Sequence, residues 1–161
     1  MTLEGGANPM LRFDTGTHSV IKVRGASEYY NFVFLQSYSP LQLLWGEWKI
    51  KTQGYIYRLY EARKGTNLAE MDATRELISY HWHPRDIRPK TPKFPHLHLR
   101  PALEAKRPDI TNAHIPTGRI AIETVVIFLI EQLGITPLTT SWRDIVQENL
   151  RLFQQYRTWA D

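Results

Sequence analysis

The hydrophobic period changes once along this chain, and that change constrains the fold class more than any other feature. Up to Arg100, apolar and aromatic residues alternate at period two or run in short β-forming stretches. After Thr117 they recur at helical spacing, at Ile122, Val125, Val126, Leu129, Ile130 and Leu133. Strands first and helices last predict an α+β domain. Its expected form is an antiparallel sheet of about five strands with two C-terminal helices packed on one face.

The expected strands are His18–Arg24, Tyr29–Tyr38, Tyr55–Arg63, Arg75–His83 and Phe94–Arg100, all rich in β-branched or aromatic residues. Pro40–Lys51 is ambiguous, because Gly46 interrupts any helix there. Thr117 is a suitable N-cap for the first helix and Gly134 a suitable C-terminal stop. Ser141-Trp142-Arg143-Asp144 has the form of a capping box and opens the second helix. Residues 1–16, with three glycines and one proline, read as a loose arm, which leaves 17–161 as a single domain.

Cysteine is absent, so disulfides, thiolate zinc ligands and thiol catalysis are excluded. The N-terminal residues show no apolar signal segment, and together these features point to the cytoplasm. The longest apolar run, around Ile120–Leu133, is broken by Glu123, Glu131 and Gln132 and is too short and too charged to span a bilayer. No membrane partner is expected.

The 161 residues carry a net charge of +4, unevenly spread. Between His81 and Arg119 lie eight Lys or Arg and three acids, so this stretch holds all of the positive excess. It also holds five of the six histidines. Four of them form two His-x-His steps, His81/His83 and His96/His98, separated by a loop with prolines at 84, 89, 92 and 95. Side chains alternate across a strand, so each step puts both imidazoles on one face. That face would carry Leu77, Ser79, His81 and His83 from one strand, and Phe94, His96, His98 and Arg100 from the other. Ile78, Tyr80, Trp82, Leu97 and Leu99 would meet the helices. If the strands pair, four imidazoles and Arg100 share an open sheet face.

Three chemistries use such a face. The first is metal-independent acid–base cleavage of RNA. One neutral imidazole takes the 2′-hydroxyl proton, a protonated one gives a proton to the leaving oxygen, and a cation steadies the phosphate. His81, His83, His96, His98 and Arg100 are its candidate catalytic groups, with Tyr57 or Tyr80 as hydroxyl donors or stacking rings. Arg85, Arg88, Lys90 and Lys93 in the loop, and Arg119 at a helix start, are candidate phosphate contacts. Tyr55, Tyr57, Tyr60 and Trp82 could stack bases or simply form core. The second chemistry is a His-ligated metal enzyme, with Asp86, Glu61 or Glu76 as an added carboxylate, although the surrounding positive charge opposes a cation. In the third, the histidines are ordinary strand residues on a non-enzymatic binding surface for nucleic acid or protein. His114 is read as a residue that merely precedes the helix. The residues themselves call for no cofactor.

The stretch Ser79–Pro84 (SYHWHP), a basic gap, and Thr91–Leu99 (TPKFPHLHL) resemble the TumE-like toxins of prokaryotic toxin–antitoxin pairs. The likeness covers roughly residues 55–100. Leu97 stands where the family pattern has a further histidine. The resemblance implies a growth-inhibiting toxin that acts on RNA and is neutralised by a cognate antitoxin protein, with His81, His96 and His98 at the matched positions. The oligomeric state, a homodimer included, stays open.

Overall fold

The computed structural model describes residues 2–4, 10–12, 20–26, 28–62, 76–84, 86, 88, 91–99 and 114–158. The fold is α+β, as the change of period requires. The strands are β1 (Thr2–Glu4), β2 (Met10–Arg12), β3 (Val20–Arg24), β4 (Tyr29–Gln42), β5 (Trp48–Ala62), β6 (Glu76–Trp82), β7 (His96–Leu99) and β8 (Ile115–Pro116). Two helices follow, α1 (Ile122–Leu133) and α2 (Trp142–Tyr156). All strands join one antiparallel sheet in the order β1-β2-β4-β5-β6-β7-β8, and β3 lies beside β2 along the same edge of β4.

The sheet has more strands than the expected five. β4 is 14 residues long and β3 only five, so β3 covers Tyr29–Val33 and leaves the rest of that edge open. β2 takes the edge at Leu35–Ser37. Parts of the stretch expected as a loose arm are therefore sheet. The ambiguous segment Pro40–Lys51 becomes the end of the long β4–β5 hairpin. Its tip places Trp45 and Gly46 at φ 83° and 82°, and Leu43 N–H donates to Glu47 O at 2.7 Å. A left-handed tryptophan is a costly conformation, and this one is almost wholly exposed.

One sheet face is packed by α1. Phe34 stacks on Tyr57 with centroids 5.6 Å apart, Tyr57 on Tyr55 at 4.7 Å, and Tyr55 meets Trp82 at 5.9 Å. Val125, Leu129 and Ile135 close over these rings. Burying each such side chain contributes roughly 1.5–3 kcal/mol. Tyr55 Oη accepts from Ile120 N–H at 3.1 Å, which ties the approach to α1 down onto the sheet. α2 packs against α1, buries no residue completely, and reaches the sheet through a bridge between Arg157 and Ile50.

The helix ends differ from expectation. The N-cap of α1 is Ala121, not Thr117, and it offers no side-chain bond; Thr117 N–H instead donates to Pro95 O at 2.9 Å. Ser141 is the N-cap of α2, as expected, but gives no side-chain cap bond; its hydroxyl pairs with Thr139 Oγ1 at 3.0 Å instead. Gly134 does stop α1, at φ 64°, with Ile135 N–H donating to Leu129 O.

Burial pushes the Tyr55 hydroxyl up to about 12 and raises Tyr57 well above its ordinary value. The unfolded chain ionises these groups near 10, so no penalty exists below that pH, and stability falls as pH rises from 10 towards 12. For Tyr55 alone the loss is on the order of 2–3 kcal/mol. Urea midpoints measured from pH 8 to 12 should show this decline. Tyr57→Phe should flatten it, at a cost near neutral pH of about 1 kcal/mol for the lost bond to Gln36.

Candidate functional site

The sheet face away from α1 carries the histidines, and register assembles them. β5, β6 and β7 align Ile56 with His81 and His81 with His96. Ser79 lies opposite His98. β7 then pairs with β8, His96 opposite Pro116, and continuing that register sets His114 opposite His98. His114 is thus part of the cluster, a correction to its reading as a bystander. Its ring centroid lies 4.6 Å from His98 and 5.0 Å from His96. His81 is 5.1 Å from His98, 5.6 Å from His96 and 5.3 Å from His83. His96 and His98 are 5.0 Å apart.

The five rings surround a pocket of about 490 Å³, which Arg88, Thr91 and Pro92 also line. His81, His96 and His98 are buried at its base, His83 is half-buried, and His114 is exposed at the mouth. Grouping so many imidazoles makes protonation unfavourable. Burial first, then the Arg58 guanidinium and the neighbouring histidines, lowers His81 to about 2. His83 is lowered by burial and then by His96 and other groups, and His114 by burial and His96. Burial thus favours the neutral form of His81, the opposite of the protonated role in acid–base cleavage.

Two rings have their tautomers set by their partners. Arg58 Nε–H donates to His81 Nε2 at 3.2 Å, and the Ser79 hydroxyl also contacts that nitrogen. The His81 lone pair is thus taken, and its proton sits on Nδ1. His96 is the reverse. Its Nδ1–H donates to Phe94 O at 2.9 Å, which leaves the Nε2 lone pair available to the pocket. A backbone carbonyl behind Nδ1 is the usual support of a metal-ligating imidazole. Two triads could hold a cation, His81/His83/His96 and His96/His98/His114, each with ligand atoms within 4.8 Å of one another. The second is the better site, because a guanidinium faces His81 in the first.

Among the described residues, Arg58 and Arg88 beside the pocket are each paired with a carboxylate. Arg58 Nε lies 3.4 Å from Glu76 Oε2, and Tyr60 Oη donates to the same carboxylate at 3.3 Å. Arg88 grips Asp86 through side chain and backbone, and the Asp86 carboxyl is held well below its usual range by those hydrogen bonds. Hence Arg88, expected as a phosphate contact, lines the pocket as half of an ion pair. Neither acid is placed as a metal ligand, and Glu61 lies near the exposed end of β5. Lys93 is exposed and lies outside the pocket lining. Arg119 stacks over Trp82 at 4.2 Å on a separate depression with Lys51, Thr52 and Pro84, so it is no phosphate contact of the histidine pocket. Arg85, Lys90 and Arg100 lie outside the described residues.

Of the candidate rings, Tyr55, Tyr57 and Trp82 belong to the α1-side core, and Tyr80 packs against it. Leu77 does too. A bulge pairs Leu59 with Ile78 but Tyr60 with Glu76, so Leu77 is the extra residue and Glu76 turns to the histidine face. From the sequence, Arg58 and His114 have no site role, and Ser79 enters only as part of the histidine face, Glu76 only as a possible metal carboxylate and Tyr60 only as a stacking ring. The alternation Ile56, Arg58, Tyr60, opposite in phase to Tyr55, Tyr57, Leu59, is the sequence signal that could have found two of them. Comparison with known proteins returns no matching family model, curated protein or solved structure.

Glu76→Gln removes the counter-charge that Glu76 supplies to Arg58 beside His81. Breaking a buried pair costs more, but Arg58 is a third exposed. The expected loss is therefore about 2 kcal/mol. The urea midpoint should fall accordingly with an unchanged slope. A loss under about 0.5 kcal/mol would show the pair to be a surface decoration.

Proposed function

We propose that the pocket is a transition-metal centre with His96, His98 and His114 as ligands, and that the protein uses it to cleave RNA phosphodiesters as a toxin-like endoribonuclease. The observation that carries this reading is the His96 tautomer, with its proton held by Phe94 O and its Nε2 turned among neighbouring imidazoles. Neutral imidazoles are the form a metal takes, and burial lowers His81, His83 and His114 below the ordinary imidazole range. The pairing of Arg58 with Glu76 and of Arg88 with Asp86 reduces the positive charge that these two guanidiniums present to a cation. An all-nitrogen set suits zinc and its neighbours rather than magnesium or calcium. Three protein ligands leave a coordination position for substrate.

Such a cation polarises a phosphoryl oxygen and lowers the pKa of a water molecule. The protein's own groups do the rest. Phe94 O orients His96. Ser79 and Arg58 hold His81 behind the ligands. His83 and the Asp86–Arg88 pair border the approach. RNA as the substrate class, and an antitoxin as partner, are supported by the resemblance of Ser79–Pro84 and Thr91–Leu99 to the TumE-like toxins.

The test is cleavage of mixed single-stranded and structured RNA by pure protein, beside a 2′-deoxy substrate. EDTA should abolish cleavage and about one equivalent of Zn²⁺ or Mn²⁺ per chain should restore it. His96→Ala and His98→Ala should lose metal and cleavage together, by more than the roughly 10–100-fold that outer-shell changes cost. Undiminished cleavage in EDTA would return the pocket to metal-independent imidazole chemistry. Salt-sensitive RNA binding without product would make it a binding module.

A further inference from the structure

A second cavity, of about 420 Å³, lies on the same sheet face and meets the histidine pocket at His83, which lines both. Asp86 lines this cavity while its partner Arg88 lines the other. Among the described residues, the His83 ring and the Asp86–Arg88 ion pair are thus shared between the two hollows. Register shows the continuity. Leu35 on β4 lies opposite Ile56 on β5, Ile56 opposite His81 on β6, and His81 opposite His96 on β7. One straight row across four strands therefore runs from two half-buried aliphatic side chains to a proposed metal ligand. Neighbouring strands are about 4.8 Å apart.

The shape of this cavity has a backbone cause. β5 and β6 approach so closely at Gly54 that a Cβ there would lie 2.7 Å from Trp82 O. Only glycine fits, so no side chain fills the space between Ser37 and His83. At the same level β5 carries a bulge, with Gln53 the extra residue between Thr52 and Gly54 opposite Tyr38 and Ser37, and it bends there. What remains is an apolar floor of Leu35 and Ile56, a ring wall at His83, and a rim bearing the Gln53 amide and the Ser37 hydroxyl. Gln53 Nε2 donates to Ser39 Oγ at 2.7 Å, so the amide is held in place.

We infer that this cavity is a nucleobase subsite, which takes the planar heteroaromatic base of the nucleotide whose phosphate enters the histidine pocket. The inference rests on the phosphodiester reading of that pocket and names what lies beside the reacting phosphate. An apolar floor with a ring wall accepts the face of a base of any sequence. The Gln53 and Ser37 groups meet its edge. A bare phosphate or a sugar phosphate would leave the apolar floor uncovered.

The experiment titrates zinc-loaded protein with inorganic phosphate, adenosine 3′-monophosphate and uridine 3′-monophosphate by calorimetry. At least one nucleotide should bind about 10-fold tighter than phosphate or better. Leu35→Trp and Ile56→Trp should each fill the cavity and reduce nucleotide affinity to that of phosphate, while zinc stoichiometry and phosphate affinity stay as in the native protein. Those two retained properties show that the variants fold. Equal affinity for nucleotides and phosphate in the native protein overturns the subsite, as does a nucleotide advantage that survives both substitutions. The same titration in EDTA separates the two readings. Phosphate affinity unchanged by EDTA overturns the metal reading, while a nucleotide advantage that persists there and is lost in both variants upholds the subsite.

Discussion

The strand register of β4 to β7 is the constraint on which the rest depends. Side chains alternate with a period of two, so a slip of one residue would carry every histidine to the opposite face. The stacked rings of Phe34, Tyr57, Tyr55 and Trp82 oppose such a slip from the α1 side. Each ring sits beside its cross-strand neighbour, Phe34 with Tyr57 and Tyr55 with Trp82. A displaced register would expose those rings to water and bury the imidazoles under α1 without partners. The aromatic core and the polar face are two sides of one alignment.

That alignment makes a polar cluster tolerable. Burying imidazoles costs free energy unless their nitrogens are satisfied. Arg58, Ser79 and Phe94 O supply partners for His81 and His96, and Glu76 with Tyr60 supports Arg58 in turn. Arg58 comes from the neighbouring strand β5, whereas Ser79 and Phe94 each lie two residues before the imidazole they support. None lies in a His-x-His step. The site is thus an inner group of rings held by an outer group of polar residues, and both are read from strand pairing rather than from motif.

The sequence revealed the class of fold and the common face of four histidines, because both depend on periodicity, which is local. The change of period at Thr117 separates sheet from helix, and the alternation at His81/His83 and His96/His98 needs only a strand to act on. What escaped depends on pairing across distance. Glu76 turns to the histidine face through a bulge that no pattern in Arg75–His83 announces. His114 enters through β8, a strand of two residues. Arg88 and Asp86 neutralise one another within a loop, whereas a count of charges adds them to a field. Arg119 goes to Trp82 on another side because the chain approaches α1 along the Tyr55 hydroxyl. The cap of α1 fell four residues later than Thr117 for a related reason: Thr117 was already engaged with Pro95.

The paired guanidiniums have a consequence for traffic. A hollow whose two described guanidiniums, Arg58 and Arg88, are each matched by a carboxylate draws less on a passing anion through them than free cations would. Its selectivity is then conditional. Attraction for a phosphate group rises only when a further positive charge is set among the imidazoles, and falls again when that charge leaves. Arg58–Glu76 and Arg88–Asp86 act in this sense as ballast, trimming the resting pocket close to zero so that one added charge decides what it holds.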